Sequence, residues 1–350
     1  MMEMNMKKML ALVLAGAMSL SLAACESSNT TSPNTSGSSS NSNATSTSKS
    51  PILITIGTGT VGGGWYSMGG ALANVLTEYM PNASVTSIAT NASLENMSML
   101  QANKLEIGMA NTDVVYQSYY GLNDYAKYED LNTLCMMDEI YLTLLVAKDS
   151  GIESFADMKG KRLGTGTAGS GLYLMVEAIL GAYGWTYDDV VPYQASTAQQ
   201  GDALKDGNID AACFLMTGRS GASASIVEMV STFDCHLIPF DDEQIKALNE
   251  ACPYYLDDYI PGGWVESNSE PVHTFGVNTQ MLVRSDMDEQ VAYDLIKTIV
   301  EHLDGLTAIH PAFSVMTDDY IASGMSLPLH PGAERYLKEI GAEISYLEGP

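Results

Sequence analysis

From residue 51 onward, short apolar runs alternate with longer amphipathic stretches. The run at 52–56 is rich in β-branched residues and reads as a buried strand. A glycine-rich turn follows at 57–64, and the apolar period of 66–79 predicts a helix that Pro81 stops. The same logic predicts a strand at 85–89, a helix at 93–102, a strand at 107–110, and a helix beginning near Asn111-Thr112-Asp113. A β-α-β-α-β series of this kind predicts a parallel sheet with helices on its faces. A strong strand at 140–148 comes next, and then the pattern recurs. It gives a short strand ending near Gly164, a second glycine turn at 165–171, a helix at 172–183, a strand at 190–193, a helix at 198–205 and a strand at 211–215. A later strand at 275–284 and helices at 289–303 and 332–340 finish the chain. The expected architecture is two α/β domains joined by two crossing strands, 140–148 and 275–284. Residues 51–145 and 275–350 form one domain and 146–274 the other. Open α/β sheets bind ligands beyond the carboxyl ends of their strands, so a cleft between the two domains is the expected site.

The pattern before residue 51 is different. Lys7-Lys8, an apolar run at 9–22 and Leu22-Ala23-Ala24-Cys25 have the layout of a secretory signal peptide of the lipoprotein type, 1–24, with cleavage before Cys25 and lipid on its sulfur. The apolar run is shorter than the roughly 20 residues that span a bilayer. Residues 25–50 are, after the cysteine, nearly all Ser, Asn, Thr, Gly and Ala. They bury too little apolar surface to offset their ordering entropy, and a flexible tether of this length spans roughly 28 Å. The expected location is extracytoplasmic, anchored to the cell membrane, with the folded part a monomer.

Charge narrows the partners. With 16 basic and 42 acidic residues, the formal net charge is −26. Phosphate binding needs basic patches, so nucleic acid is excluded as a partner. The cysteines after Cys25 are Cys135, Cys213, Cys235 and Cys252, with no C-x-x-C pair, so no zinc site is expected. Cys135 and Cys213 lie in apolar stretches and read as core. Cys235 and Cys252 are candidates for a disulfide in an exported protein. No metal or cofactor is called for.

The two glycine turns carry the candidate chemistry. Both contain G-x-G-x-x-G: Gly57, Gly59 and Gly62, then Gly164, Gly166 and Gly169. A dinucleotide site also needs an acidic residue at the end of the following strand, where this chain has Thr90-Asn91-Ala92-Ser93. Neither turn ends in the Gly-Lys-Ser/Thr of a phosphate loop. Free N–H groups at a helix start nonetheless bind an anion, and glycine lets a ligand reach the backbone. The plainer alternative is a tight strand-to-helix turn. Occurrence in both halves favours a ligand site. The candidate lining is Thr58, Gly59, Gly63, Gly64, Trp65, Tyr66, Asn91, Ser93, Thr112, Asp113, Gly169, Ser170 and Gly171. Ser93 and Asp113 are open to a capping role as well. Arg219 is one of few cations in the second half, with a ligand carboxylate or solvent as its alternatives. The five histidines have no metal-binding spacing, and no G-x-S-x-G elbow occurs, so an enzyme is not expected.

Several segments together resemble the TAXI family of TRAP-transporter solute receptors. They are Thr58-Gly59 through Gly63-Gly64-Trp65-Tyr66, Thr90 to Ser93 with Glu95-Asn96, Asn111-Thr112-Asp113, Gly166 to Gly171, and Leu204 to Ala212. The most specific is Pro328-Leu329-His330-Pro331-Gly332-Ala333 with Arg335-Tyr336 and Glu339-Ile340-Gly341. The resemblance covers residues 52–345. It implies a type II periplasmic-binding-protein fold and delivery of a glutamate-like amino acid or other carboxylate to TRAP permease subunits. Ala92 stands where that family usually has glycine, and Ser67-Met68 replace a pair that often includes proline. The His-Pro-Gly-Ala element is expected to open the last helix, with Pro near its first position. An ABC-importer receptor and a surface sensor domain are the alternatives on the same fold.

Overall fold

The structure is a computed structural model that describes residues 50–217 and 224–350. The expected leader, Cys25, the tether up to residue 49 and Arg219 lie outside the described residues. The first β-α series runs β1 (Ile52–Gly57), α1 (Gly64–Tyr79), β2 (Ala83–Ile88), α2 (Ser93–Gln101), β3 (Ile107–Asn111) and α3 (Thr112–Tyr120). Helix α1 ends where expected. Met80 precedes Pro81 and is extended, at ψ 130°, the conformation a following proline imposes. The second series is β5 (Arg162–Gly164), α4 (Gly171–Ala182), β6 (Val191–Tyr193), α5 (Thr197–Lys205) and β7 (Ala211–Thr217).

Between the series lies β4 (Leu131–Ala147), and after the second come α6 (Ala224–Thr232), β8 (Cys235–Ile238), α7 (Asp242–Ala251), β9 (Tyr255–Ile260) and β10 (Val272–Arg284). Helices α8 (Glu289–Glu301), α9 (Leu303–Ile309) and α10 (Pro331–Glu339) complete the chain. The α/β class expected from the sequence is the one observed. All ten strands among the described residues join one mixed sheet, ordered β2-β1-β3-β10-β4-β7-β5-β6, with β8 on β4 and β9 on β10. Strands β1, β2 and β3 are mutually parallel, as are β5, β6 and β7. The two crossing strands are β4 and β10, antiparallel from Gly276 opposite Tyr141 to Arg284 opposite Leu131. They are longer than the sequence pattern indicated, and their register shifts between Asn278 and Gln280 and again between Met281 and Leu282. Such bulges bend a ladder locally.

Apolar side chains cover both faces of each half of this sheet. Ile54, Met68, Leu72, Met281 and Leu295 pack together on the β1–β3 side, with Met97, Val114 and Leu282 on the opposite face. On the β5–β7 side the corresponding clusters hold Leu142, Phe155, Val176 and Phe275, and Leu145, Phe214 and Met229. Cys135, Cys213, Cys235 and Cys252 are all free thiols, so the candidate Cys235–Cys252 bridge is not formed.

The His-Pro-Gly-Ala element does open α10. Pro331 is its first residue, and His330 caps it, Nδ1 accepting from the Gly332 N–H at 3.3 Å while Nε2 lies 3.0 Å from the Met287 carbonyl. A Cβ on Gly332 would stand 2.1 Å from the Glu289 carbonyl oxygen and 2.8 Å from the Tyr293 nitrogen, both backbone atoms of α8. Only glycine lets the two helices meet. Gly332→Ala is therefore expected to destabilise the fold by about 1–3 kcal/mol, the usual cost of overpacking, read as a lower urea midpoint at unchanged m-value.

Candidate functional site

In a β-α-β series every helix starts where a strand has just ended, so the helix N-termini and strand carboxyl ends gather along one edge. Here that edge encloses a cavity of about 90 Å³. By the same measure a water occupies about 10–15 Å³, so the space suits a solute of a few heavy atoms. The N-cap residues of five helices line it: Gly63 of α1, Ala92 of α2, Asn111 of α3, Ser170 of α4 and Ser196 of α5. Each marks the positive end of a helix dipole, while its own N–H is bonded within the wall, Gly63 to Thr60, Ala92 to Thr90, Asn111 to Ser93, Ser170 to Thr167 and Ser196 to Gln199. Trp65, Ile140, Leu172 and Leu215 form apolar wall, and Thr60, Thr167, Thr197, Thr217 and Gln200 the remaining polar wall. No Lys, Arg, His, Cys, Asp or Glu is among the described lining residues. Among the described residues no group of three His, Cys, Asp or Glu could hold a metal ion.

Of the candidate residues, Gly59, Gly63, Gly64, Trp65, Ser170 and Gly171 come together on this wall. Ser170 also caps α4, its Oγ accepting from the Tyr173 N–H at 3.2 Å. Thr58 and Ser93 stand behind the wall and build it. The Thr58 hydroxyl donates to the Ile88 carbonyl at 2.7 Å, and the Ser93 hydroxyl accepts from the Asn111 N–H at 3.1 Å. Asn96 ties the same layer together, its Nδ2 donating to the carbonyls of Thr58 and Met109 at 2.7 and 2.8 Å. Gly169 has φ +76° and turns the second loop without lining the cavity. Tyr66 and Asn91 point elsewhere and are exposed, Tyr66 by 42%. Thr112 and Asp113 are buried beneath the wall.

The sequence reading missed Asn111, Ser196 and Gln200. Ser196 carries a legible signal, a capping box in which its hydroxyl accepts from the Gln199 N–H and the Gln199 side chain accepts from the Ser196 N–H at 3.1 Å. Gln200 is fully buried, and its Nε2 donates to the Ala195 carbonyl at 3.3 Å. Its inward pose depends on the tertiary fold.

Two buried acids lie close behind the cavity. Burial pushes the Asp113 carboxyl up to about 7 against the opposing pull of the Val114 and Asp113 N–H groups, and neither carboxylate oxygen has a partner of good geometry. Burial likewise pushes Asp138, on β4, up to about 7, opposed by the Thr279 hydroxyl and by the Trp65 indole. An acid with a raised native pKa stays protonated in the fold while the unfolded chain ionises. Its contribution is intact at low pH and is lost as pH rises from about 4 to about 7. Asp113→Asn is expected to be more stable than the parent at pH 8, by up to about 4 kcal/mol, and equal to it below pH 4. Urea unfolding at the two pH values reads this directly.

Ala92 is the strained point of the wall. It has φ 66° and ψ −142°, a region that disfavours a Cβ. Glycine, the residue of the resembling family at this position, has no such penalty. Ala92→Gly is expected to raise stability by about 1 kcal/mol, seen as a higher urea midpoint.

Comparison with known proteins agrees with this architecture. A protein of Bordetella bronchiseptica RB50 has the same fold, with 13% identity, coverage of 75% of this chain and 77% of that one, and a TM-score of 0.50. The periplasmic aliphatic sulphonate binding protein SsuA of Escherichia coli is similar at 15% identity over 83% and 79% of the two chains, TM-score 0.42. A putative L-cystine ABC transporter protein of Listeria monocytogenes is similar at 14% identity over 75% and 95%, TM-score 0.45. Residues 56–341, nearly the whole described chain, match the NMT1-like family. The match spans the second series, the first from the end of β1, and every N-cap of the cavity, and the chain belongs to the NMT1-like family.

Proposed function

We propose that the protein is a solute-binding receptor that encloses a small anionic solute, a carboxylate, in the 90 Å³ cavity and presents it to a membrane importer. The observation that carries this reading is the convergence of five helix N-caps on one cavity whose described wall has no charged side chain. Helix N-termini stabilise an anion through N–H groups already in place, with no lysine or arginine to desolvate. A binding role also suits the wall better than catalysis, since its described polar groups are hydroxyls and amides, poor general acids or bases.

In this reading residues 51–145 and 275–350 are one domain and 146–274 the other. The bulged pair β4 and β10 is the hinge between them. Cys25 carries the lipid that holds the receptor, as a monomer, at the outer face of the membrane. The importer has two readings. An ABC-type importer is the first, in line with the description of the L. monocytogenes protein as a putative L-cystine ABC transporter. A TRAP-type permease is favoured by the TAXI-like segment Pro328 to Ala333. Reconstituted uptake driven by ATP selects the first, and uptake driven by an ion gradient selects the second.

Thermal shift of the unliganded, refolded protein across amino acids, carboxylates and sulfonates tests the receptor reading. A solute at 100 times its Kd adds about 2.7 kcal/mol of stability, a shift of several degrees. Asn111→Ala and Ser170→Ala are each expected to weaken that solute at least tenfold by calorimetric titration. Asn91→Ala, outside the wall, is expected to leave it unchanged. A panel in which no anion shifts the protein sinks the reading.

A further inference from the structure

The two glycine loops are more alike than their spacing alone requires. Residues 57–66 read Gly-Thr-Gly-Thr-Val-Gly-Gly-Gly-Trp-Tyr, and residues 164–173 read Gly-Thr-Gly-Thr-Ala-Gly-Ser-Gly-Leu-Tyr, identical at seven of ten positions. The likeness extends to their geometry. The Thr58 N–H bonds the Ile88 carbonyl, and the Thr165 N–H bonds the Tyr193 carbonyl, each at 3.1 Å. The Gly63 N–H bonds the Thr60 carbonyl, and the Ser170 N–H bonds the Thr167 carbonyl, each at 3.0 Å. Gly62 and Gly169 turn the chain at φ 86° and 76°. A Cβ on Gly57 would stand 2.4 Å from Asn96 Oδ1, and one on Gly164 would stand 2.4 Å from Gln200 Oε1.

The last glycine of each loop differs from the others in what it faces. Gly64 and Gly171 are the first residues of α1 and α4 and have no positive φ, so neither needs glycine's conformational freedom. What they need is the missing Cβ. On Gly64 it would lie 3.0 Å from Thr217 Cγ2, and on Gly171 2.2 Å from Asn111 Nδ2. Thr217 is the last residue of β7, and Asn111 the last of β3. Each loop thus sets its glycine against the end of the third strand of the other series, across the cavity.

We infer that the two loops are a duplicated, pseudo-twofold clasp. Gly64 against Thr217 and Gly171 against Asn111 are the two contacts through which the halves of the sheet close on the cavity. This rests on the receptor reading, since closure is what retains a solute, but the contacts are testable with no solute present. The Asn111 amide has little freedom to yield, being 1% exposed, with its Cγ and Oδ1 also within 2.7 and 3.0 Å of an added Cβ on Gly171. A side chain at 171 would therefore hold both contacts apart.

A Cβ at position 64 would lie 3.8 Å from Thr217 Cβ, matching the spacing of about 3.8 Å across a disulfide. The test is the full chain carrying Gly64→Cys and Thr217→Cys, oxidised with copper phenanthroline. Mass spectrometry of a non-reducing digest measures the linked peptide. The bond is expected to form at least ten times faster than in Gly70→Cys with Thr217→Cys, because a Cβ on Gly70 has nothing within 4 Å. Adding Gly171→Ala, then Gly171→Val, to the cysteine pair is expected to slow cross-linking stepwise, to a tenth or less. Asn111→Ala is expected to restore it. Gly181→Ala, on the same helix α4 but facing open space, is expected to change nothing. Circular dichroism confirms that each variant is folded. Cross-linking that is absent, or that ignores position 171, overturns the clasp. A panel without a solute hit beside intact cross-linking sinks the receptor reading and leaves the clasp as a contact between halves of the fold.

Discussion

The direction of the backbone is the constraint on which this molecule depends. Parallel strands joined by helices place each helix N-terminus at the same edge of the sheet, so the positive ends of five helix dipoles face one space. An isolated N-terminus offers roughly half a unit charge that water screens easily. Here apolar residues such as Trp65, Leu172 and Leu215 share the wall and reduce the water that competes with a bound solute. The chain as a whole is strongly acidic, at −26. Its long-range field repels an anion, while the local field of the N-caps attracts it once it is inside. Those two scales do not conflict, because salt screens the first beyond roughly 8–10 Å and scarcely reaches the second.

The buried acids belong to the same economy of charge. Asp113 sits in the first turn of α3 and Asp138 on the crossing strand β4, both beneath the cavity. A carboxylate in either place would repel the anionic solute proposed above. Burial raises both toward neutrality, so that near neutral pH a substantial part of each is protonated. Burial thus limits the negative charge that these two acids place behind the cavity.

Much of this was legible in the sequence, for a definite reason. The inner strands β3 and β7 are buried almost throughout and read as apolar runs, and glycine or proline marks where most strands of the two series turn. What escaped is the structure lacking that contrast. The first half of β4 contains Asn132, Asp138 and Glu139, and β9 contains Asp257 and Asp258, so neither reads as a strand by composition. At the site, the glycine loops announced Gly59, Gly63, Gly64, Ser170 and Gly171, because backbone-lined sites leave glycine in the sequence. Asn111 and Gln200 gave no such mark. An amide at a strand end or in a first helical turn is common, and only the tertiary fold points these two inward. Thr58 and Ser93 show the converse error, since a hydroxyl beside a loop bonds backbone more often than ligand.

Glycine at positions 64 and 171 also shows how function and stability part company. In a helix, glycine costs up to about 1 kcal/mol relative to alanine, because it gains no packing and surrenders more backbone entropy. Gly70 and Gly181 lie in open space, where an added methyl meets no atom within 4 Å, so this cost is not forced on them by crowding. At 64 and 171 the methyl group meets the opposite half of the molecule. Glycine thus stands at two points where the halves touch, at matching positions of two loops identical at seven of ten residues. A side chain at either position would push the opposite strand end away. Closure around a solute, as proposed above, needs both positions free of a side chain.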